Sequence, residues 1–182
     1  VERIEFNYPV KAYLQDTINL INASFIHRSQ FNNLNITGKD QTICIIDSGI
    51  NYTHPALENK VLDGHCYQND NAAFSTALCN DDSSEQAGIE GAIDDNGHGT
   101  HVSGIAAGNN TIIGVAPDSN LISIKALNAS GDGTVGDVVR GIDWCVSNST
   151  VYNISVISMS LGGGLYTSDC DSTFTSYRDS IN

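Results

Sequence analysis

The chain has 182 residues, of which 40% are hydrophobic and 16% are charged, and its formal net charge is -13. This length is enough for one domain with a sizeable core, and no apolar run is long enough to span a membrane. The acidic balance, which can also serve only for solubility, argues against nucleic acids and anionic membranes as partners, because binding to either needs clusters of Lys and Arg.

The first predicted elements are two strands and a helix. Apolar residues alternate along residues 1–6, which favours a strand. Residues 42–46 form a short apolar run that ends at Asp47-Ser48-Gly49, as is typical of a parallel strand covered on both faces. Over residues 98–107 apolar and small residues recur at helical spacing, and Gly108 is a stop signal.

The second half of the chain continues this alternation. Residues 121–127 predict another strand, and residues 134–146 predict an amphipathic helix with Thr134 as its N-cap. Residues 154–159 predict a third buried strand. Strands that alternate with helices imply an α/β fold, a three-layer parallel β-sheet with helices on both faces.

The ends of the predicted strands carry polar side chains. Catalytic groups in parallel sheets gather at the carboxyl ends of the strands. Asp47 and Ser160 are both predicted at such ends, and His98 opens a helix that starts on the same side. We therefore expect these three residues to converge.

Two histidines, His98 and His101, lie in the glycine-rich stretch DDNGHGTHVSG and raise the question of a metal site. A zincin site needs two His at i and i+4 with a Glu between them. Here the spacing is i and i+3 and no Glu intervenes. A third ligand would have to come from His54 or His65, whose flanks lack the spacing of ligands. The sequence therefore predicts no metal site at these histidines.

The other role for one of these histidines is that of a general base. A serine nucleophile needs an imidazole to take its proton, and the imidazole needs a carboxylate that fixes its tautomer. Asp47 at a strand end and a His at a helix start would supply this pair. The spacing alone does not choose between His98 and His101.

Three motifs together resemble the subtilisin family of serine endopeptidases. In chain order they are Ile45-Ile46-Asp47-Ser48-Gly49, His98-Gly99-Thr100-His101-Val102-Ser103-Gly104 and Ser158-Met159-Ser160-Leu161-Gly162-Gly163. The resemblance covers roughly residues 43–164. It implies a subtilisin-like fold and peptide-bond hydrolysis, with Asp47 orienting the imidazole and His98, not His101, as the base.

The same resemblance implies a substrate cleft made of two segments. Ser160, Leu161 and Gly162 match the family's cleft strand, and Gly131, Asp132 and Gly133 match the loop that faces it. In the family these segments hold the substrate between them as an added β-strand. Main-chain pairing of this kind tolerates many substrate sequences, because it ignores side chains.

The chain departs from the family pattern in one important respect. The family's nucleophile lies in a Gly-Thr-Ser-Met-Ala motif beyond the cleft strand, and no such motif occurs here. The Asn of the oxyanion hole is also expected beyond that strand. We therefore expect the N-terminal part of a catalytic domain, inactive alone, whose C-terminal part is a necessary partner. The alternative is a non-catalytic binding or scaffolding module with the same fold.

No cofactor is expected for the chemistry itself, whereas a structural calcium remains open. Many subtilisins hold calcium in a loop that here, at residues 109–113, is too short. The acidic run around Asp81, Asp82 and Glu85 could bind calcium instead, or could be a solvated loop.

Cysteines and glycosylation sequons indicate an extracellular protein. We expect disulfides Cys66–Cys79 and Cys145–Cys170, with Cys44 free, although all five cysteines could also be reduced. Asn-x-Ser/Thr sequons, which would make a secreted chain a glycoprotein, begin at Asn22, Asn35, Asn51, Asn109, Asn128, Asn148 and Asn153.

The N-terminal residues divide the chain into two expected parts. Residues 1–13 look like the end of a subtilisin propeptide, which would make the protein a zymogen, or like an N-terminal arm packed on the domain. Residues 14–182 would then form the peptidase domain. If the first reading is right, the propeptide itself is a partner that occupies the active site before it is cut.

Overall fold

A computed structural model of the chain describes residues 18, 20–68 and 79–162. Residues 1–13, expected as the end of a propeptide or an N-terminal arm, and Cys170 lie outside the described residues. The α-helices are α1 (Ala23–Arg28), α2 (His98–Ala107), α3 (Val135–Ser147) and α4 (Ser149–Tyr152), with a 3-10 turn at Ile89–Ala92. The strands are β1 (Gln30–Phe31), β2 (Leu34–Asn35), β3 (Thr42–Asp47), β4 (Val61–Tyr67), β5 (Glu85–Ala87), β6 (Asn120–Lys125) and β7 (Ile154–Met159). No helix in this part of the chain is long and apolar enough to cross a membrane.

The main sheet has five strands in the order β5-β4-β6-β3-β7. β4, β6, β3 and β7 pair in parallel, and β5 pairs antiparallel with β4 at one edge. β1 and β2 form a separate antiparallel hairpin. The predicted parallel sheet is thus confirmed, with an antiparallel edge strand added to it.

Helices cover both faces of the sheet, as predicted. On one face α3 packs Val138 and Ile142 against Ile46 of β3 and Ile124 of β6. On the other face α2 packs in a second apolar cluster that contains Val102, Ala107, Ile45, Ile50, Leu57 and Leu121. Each fully buried aliphatic side chain contributes roughly 1.5–3 kcal/mol, so these two clusters supply much of the stability.

The strands and helices with clear periodicity lie where they were predicted. β3, β6, β7, α2 and α3 match their predicted positions to within about two residues, the usual uncertainty of element ends. The prediction that β7 is buried is wrong for the described residues, because β7 lies at an edge of their sheet. Thr134 caps α3 as predicted, since its side chain accepts a hydrogen bond from Asp137 N. β4 was missed because Asp63 and His65 interrupt its apolar pattern, although its second half is buried.

One of the two predicted disulfides is correct and the other is wrong. Cys66 and Cys79 are bonded, with Cα atoms 6.0 Å apart. Cys145 is bonded to Cys44, not to Cys170, and their Cα atoms lie 6.3 Å apart. The physical reason is that Cys44 on β3 and Cys145 on α3 belong to the same buried cluster, a contact that distance along the chain does not reveal.

Candidate active site

The carboxyl ends of the parallel strands bring the predicted site together. β3 ends at Asp47, β7 ends at Met159 just before Ser160, and α2 begins at His98. His98 Nδ1 lies 2.8 Å from Asp47 Oδ1. The Asp47 side chain is fully buried, whereas the His98 side chain is 46% exposed. The Asp–His pair is therefore in direct contact, and its imidazole is open to solvent.

The contact with Asp47 determines which nitrogen of His98 carries the proton. A carboxylate can only accept hydrogen bonds, so His98 Nδ1 is the donor in this pair. The backbone N–H of Ser48 donates a second bond to Asp47 Oδ1, at 2.7 Å. His98 Nε2 is then left with a lone pair that can take a proton from a nucleophile.

The first turn of α2 packs closely against the end of β3. A Cβ added at Gly99 would lie 2.2 Å from the carbonyl oxygen of Gly49 and 3.2 Å from Cβ of Asp47. Since any side chain there would push the turn away, only glycine permits this approach. The approach in turn lets His98 reach a carboxylate that is buried at the strand end.

The loop before α2 is built around Asp94. Its carboxylate accepts hydrogen bonds from the backbone N–H groups of Asn96, Gly97 and Thr100 at 3.0, 2.9 and 2.9 Å. The hydroxyl groups of Thr100 and Ser48 donate to it as well. Burial raises the pKa of Asp94, but the hydrogen bonds together outweigh burial and hold this pKa below its ordinary value.

An open groove of about 560 Å³ runs beside His98. The predicted substrate-binding residues all line it, namely Gly131, Asp132, Gly133, Ser160, Leu161 and Gly162. His98 lies in the groove wall, and Asp47 lies behind it in the sheet. The structure thus brings the predicted dyad and the predicted cleft to one place, and substrate binding by these residues remains a prediction.

Residues 127–133, here called the groove loop, are held together by hydrogen bonds within the loop. Leu127 and Gly133 form an antiparallel bridge across its base. Inside it, Asn128 Oδ1 accepts hydrogen bonds from the backbone N–H groups of Ser130 and Asp132, at 2.8 and 3.0 Å. Because Asn128 is only 7% exposed, its sequon presents little of the side-chain amide to solvent. Its role in the structure is to organise one wall of the groove.

Three residues that organise the site were missed from the sequence, namely Asp94, Asn96 and Asn128. Asn96 Nδ2 donates to the carbonyl oxygen of Ala129 at 2.9 Å, and so connects the loop before α2 to the groove loop. Asp and Asn side chains commonly hydrogen-bond to backbone groups a few residues ahead. That tendency could have indicated the roles of Asp94 and Asn128 from the sequence. The bond from Asn96 to Ala129 joins residues far apart in the chain, so no local pattern indicates it.

The described residues that were considered as metal ligands do not form one site. His101 is exposed and does not line the groove. His65 Nε2 lies 3.0 Å from Glu85 Oε1, and the carboxylate of Asp81 accepts a hydrogen bond from the hydroxyl of Ser83. In the described ranges no group of three or more His, Cys, Asp or Glu side chains is placed to hold a metal ion.

Comparison with characterised proteins gives several relatives that share this region. The chain is 33% identical over 175 residues to the serine protease AprX of Bacillus subtilis (strain 168), an alignment that covers 90% of this chain and 34% of that protein. It is 34% identical over 142 residues to a thermostable alkaline protease of Halalkalibacterium halodurans, covering 76% of this chain and 32% of that protein. The chain thus spans about a third of the length of these relatives.

A solved structure and a family model also match this chain, and they indicate the same class of protein as these relatives. The solved structure of sphericase matches with a TM-score of 0.59 and 30% sequence identity, over 87% of this chain and 48% of that one. The family model described as the Subtilase family matches residues 38–182, which include the Asp–His pair and both walls of the groove. The chain belongs to the subtilase family.

Proposed function

We propose that this chain supplies the Asp–His pair and part of the substrate cleft of a secreted serine endopeptidase. The observation that carries the proposal is the 2.8 Å contact between His98 Nδ1 and the buried Asp47 carboxylate, at the wall of a groove lined by both predicted cleft segments. The relatives named serine protease and alkaline protease support the same class of reaction.

The proposed mechanism uses the two nitrogens of His98 differently. Nε2 takes the proton of a serine hydroxyl as its oxygen attacks the carbonyl carbon of the scissile peptide bond. Asp47 accepts from Nδ1 and stabilises the imidazolium that forms. The imidazolium then gives its proton to the leaving amine, and water completes the hydrolysis of the acyl-enzyme by the same route.

The nucleophile in this proposal comes from a part of the catalytic domain that follows the cleft strand. The relatives are about three times as long as the aligned region, which leaves room for such a segment. An extended polypeptide would lie between Gly131, Asp132 and Gly133 on one side and Ser160, Leu161 and Gly162 on the other. The enzyme's own propeptide would occupy the same groove before cleavage.

Two features support an extracellular location. The disulfides Cys44–Cys145 and Cys66–Cys79 are both formed, and structural disulfides persist mainly in oxidising compartments.

The proposed proton transfers use only side chains of the protein. A bound calcium would therefore act on stability and not on the reaction.

The test of this proposal compares two histidine variants in the full-length protein. We expect His98→Ala to lower kcat/KM for a peptide substrate by about 10⁴-fold or more, because loss of the base removes most of the chemistry. His101→Ala is the matched control and should keep activity. Equal loss in two folded variants, or activity that a zinc chelator abolishes and zinc restores, would refute the proposal.

A further inference from the structure

One positive charge is buried in the middle of the sheet beside the dyad. Lys125 is the last residue of β6 and pairs in register with Asp47 of β3. It is only 1% exposed and is the largest fully buried side chain among the described residues. Burying an ammonium group is costly unless it is fully hydrogen-bonded and paired with a negative charge.

The surroundings of Lys125 meet both requirements. Its Nζ donates to the carbonyl oxygens of Ser48 and Leu127 at 2.8 and 3.1 Å, and to Asp95 Oδ1 at 2.5 Å. An ammonium has three N–H donors, so these acceptors use all of them. The Asp95 carboxylate supplies the compensating charge.

The three acceptors come from three separate segments of the candidate active site. Ser48 follows Asp47 directly, and its N–H donates to the Asp47 carboxylate. Asp95 lies in the loop that leads into His98, and Leu127 begins the groove loop. The ammonium is therefore a single group that contacts the turn after the acid, the loop before the base and one wall of the groove, in addition to the pairwise bonds Asn96–Ala129 and Ser48–Asp94.

We propose that Lys125 is a positioning residue, whose ammonium holds the loop before His98 and the groove loop against the turn that follows Asp47. The inference rests on the proposed function. Its catalytic consequence follows from the need for accurate placement, because a displacement of about 1 Å in a reacting group can cost about 100-fold in rate. A compact ammonium suits this task better than a planar guanidinium, since its three donors diverge toward three segments.

A purely structural role for Lys125 predicts something different. If the ammonium only stabilised the fold, its removal would lower the melting temperature without changing the Asp47–His98 contact in the folded protein. Lys60 offers a matched control, because it is partly buried and donates to the carbonyl oxygen of Pro117 at 2.7 Å, but does not line the groove.

The experiment uses Lys125→Met, Asp95→Ala and Lys60→Met in the full-length protein. We expect kcat for a peptide substrate to fall by about 10- to 100-fold in the first two variants. KM should change by less than about threefold in Asp95→Ala and should rise further in Lys125→Met, which also loses the contact with Leu127 of the groove loop. The Lys125→Met/Asp95→Ala double variant should be no slower than Lys125→Met, because Lys125→Met already breaks the contact that Asp95→Ala removes. Lys60→Met should keep the wild-type kcat even if its melting temperature falls.

A second readout does not depend on activity. In protein labelled with ¹⁵N-histidine, the proton on His98 Nδ1 should give a low-field signal that weakens or disappears in Lys125→Met and Asp95→Ala and persists in Lys60→Met. If Lys125→Met does not fold, Asp95→Ala decides, since the Asp95 side chain is 46% exposed and its removal leaves no closed cavity. The inference is wrong if both folded variants keep the wild-type signal. An inactive wild-type enzyme would instead refute the proposed function, and the signal would still decide the role of Lys125.

Discussion

His98 and His101 are three residues apart, but only one of them contacts a carboxylate of the candidate site. His98 lies against buried Asp47, whereas His101 is exposed on α2. Asp47 was predictable because a polar residue follows a continuous apolar strand, and parallel sheets place such residues at one edge. The role of Lys125 was not predictable. It lies in the apolar stretch at residues 121–127, and no local pattern shows that its ammonium donates hydrogen bonds to three partners.

The Asp94 carboxylate, in the loop before α2, should make the free energy of unfolding decrease at acid pH. The hydrogen-bonded carboxylate of Asp94 has a pKa below its ordinary value. A depressed pKa contributes stability that is present above the unfolded pKa, near 4, and is lost as the pH falls through the folded value. We therefore expect the urea midpoint of the wild type to drop between about pH 5 and pH 2, and to drop less in Asp94→Asn. Identical pH dependence in the two proteins would contradict this role for Asp94.

Most elements that were predicted correctly are those whose burial repeats along the chain; β7 is the exception, since its position was predicted from its apolar residues although none of them is buried. β3 and β6 are almost wholly buried, so each appears in the sequence as an apolar stretch. β5 is short and mostly exposed, and its antiparallel place beside β4 depends on pairing that no local pattern encodes. The same limit explains the disulfide error, because Cys44 and Cys145 meet only when α3 packs on β3.

The Cys44–Cys145 bond should stabilise the domain more than the Cys66–Cys79 bond. It connects residues 101 positions apart, against 13 for the second bond. On chain entropy alone the long loop is worth about 4–5 kcal/mol and the short one about 3 kcal/mol. Paired Cys→Ala substitutions at each bond, followed by urea unfolding of the full-length protein, measure the difference. An equal or larger loss from the Cys66–Cys79 pair would contradict the expectation, as would peptide mapping that finds Cys145 linked to Cys170.

At the scale of the whole molecule, the sheet is covered unevenly. Among the described residues β7 is one of the two edge strands, and no residue of β7 is buried. Val156 and Met159 are 51% and 37% exposed. Unpaired strand edges with exposed apolar side chains promote aggregation. We expect further chain from the catalytic domain to cover both.

We therefore predict that residues 1–182 on their own fold poorly. Adding the C-terminal part of the catalytic domain, covalently or as a second chain, should cover β7 and bring the serine, so that order and activity appear together. Circular dichroism during heating tests this directly. A cooperative unfolding transition of the isolated 182-residue chain, unchanged by the C-terminal part, would show that the core is already complete.

The most direct test of the Asp–His assignment is covalent labelling of the full-length protein with a fluorophosphonate, followed by mass spectrometry. The reagent reacts with a serine only when a base activates it. We predict a single labelled serine in the wild type and in His101→Ala, labelling that is insensitive to metal chelators, and no labelling in His98→Ala. Labelling of folded His98→Ala at the wild-type rate would contradict the assignment of His98 as the base.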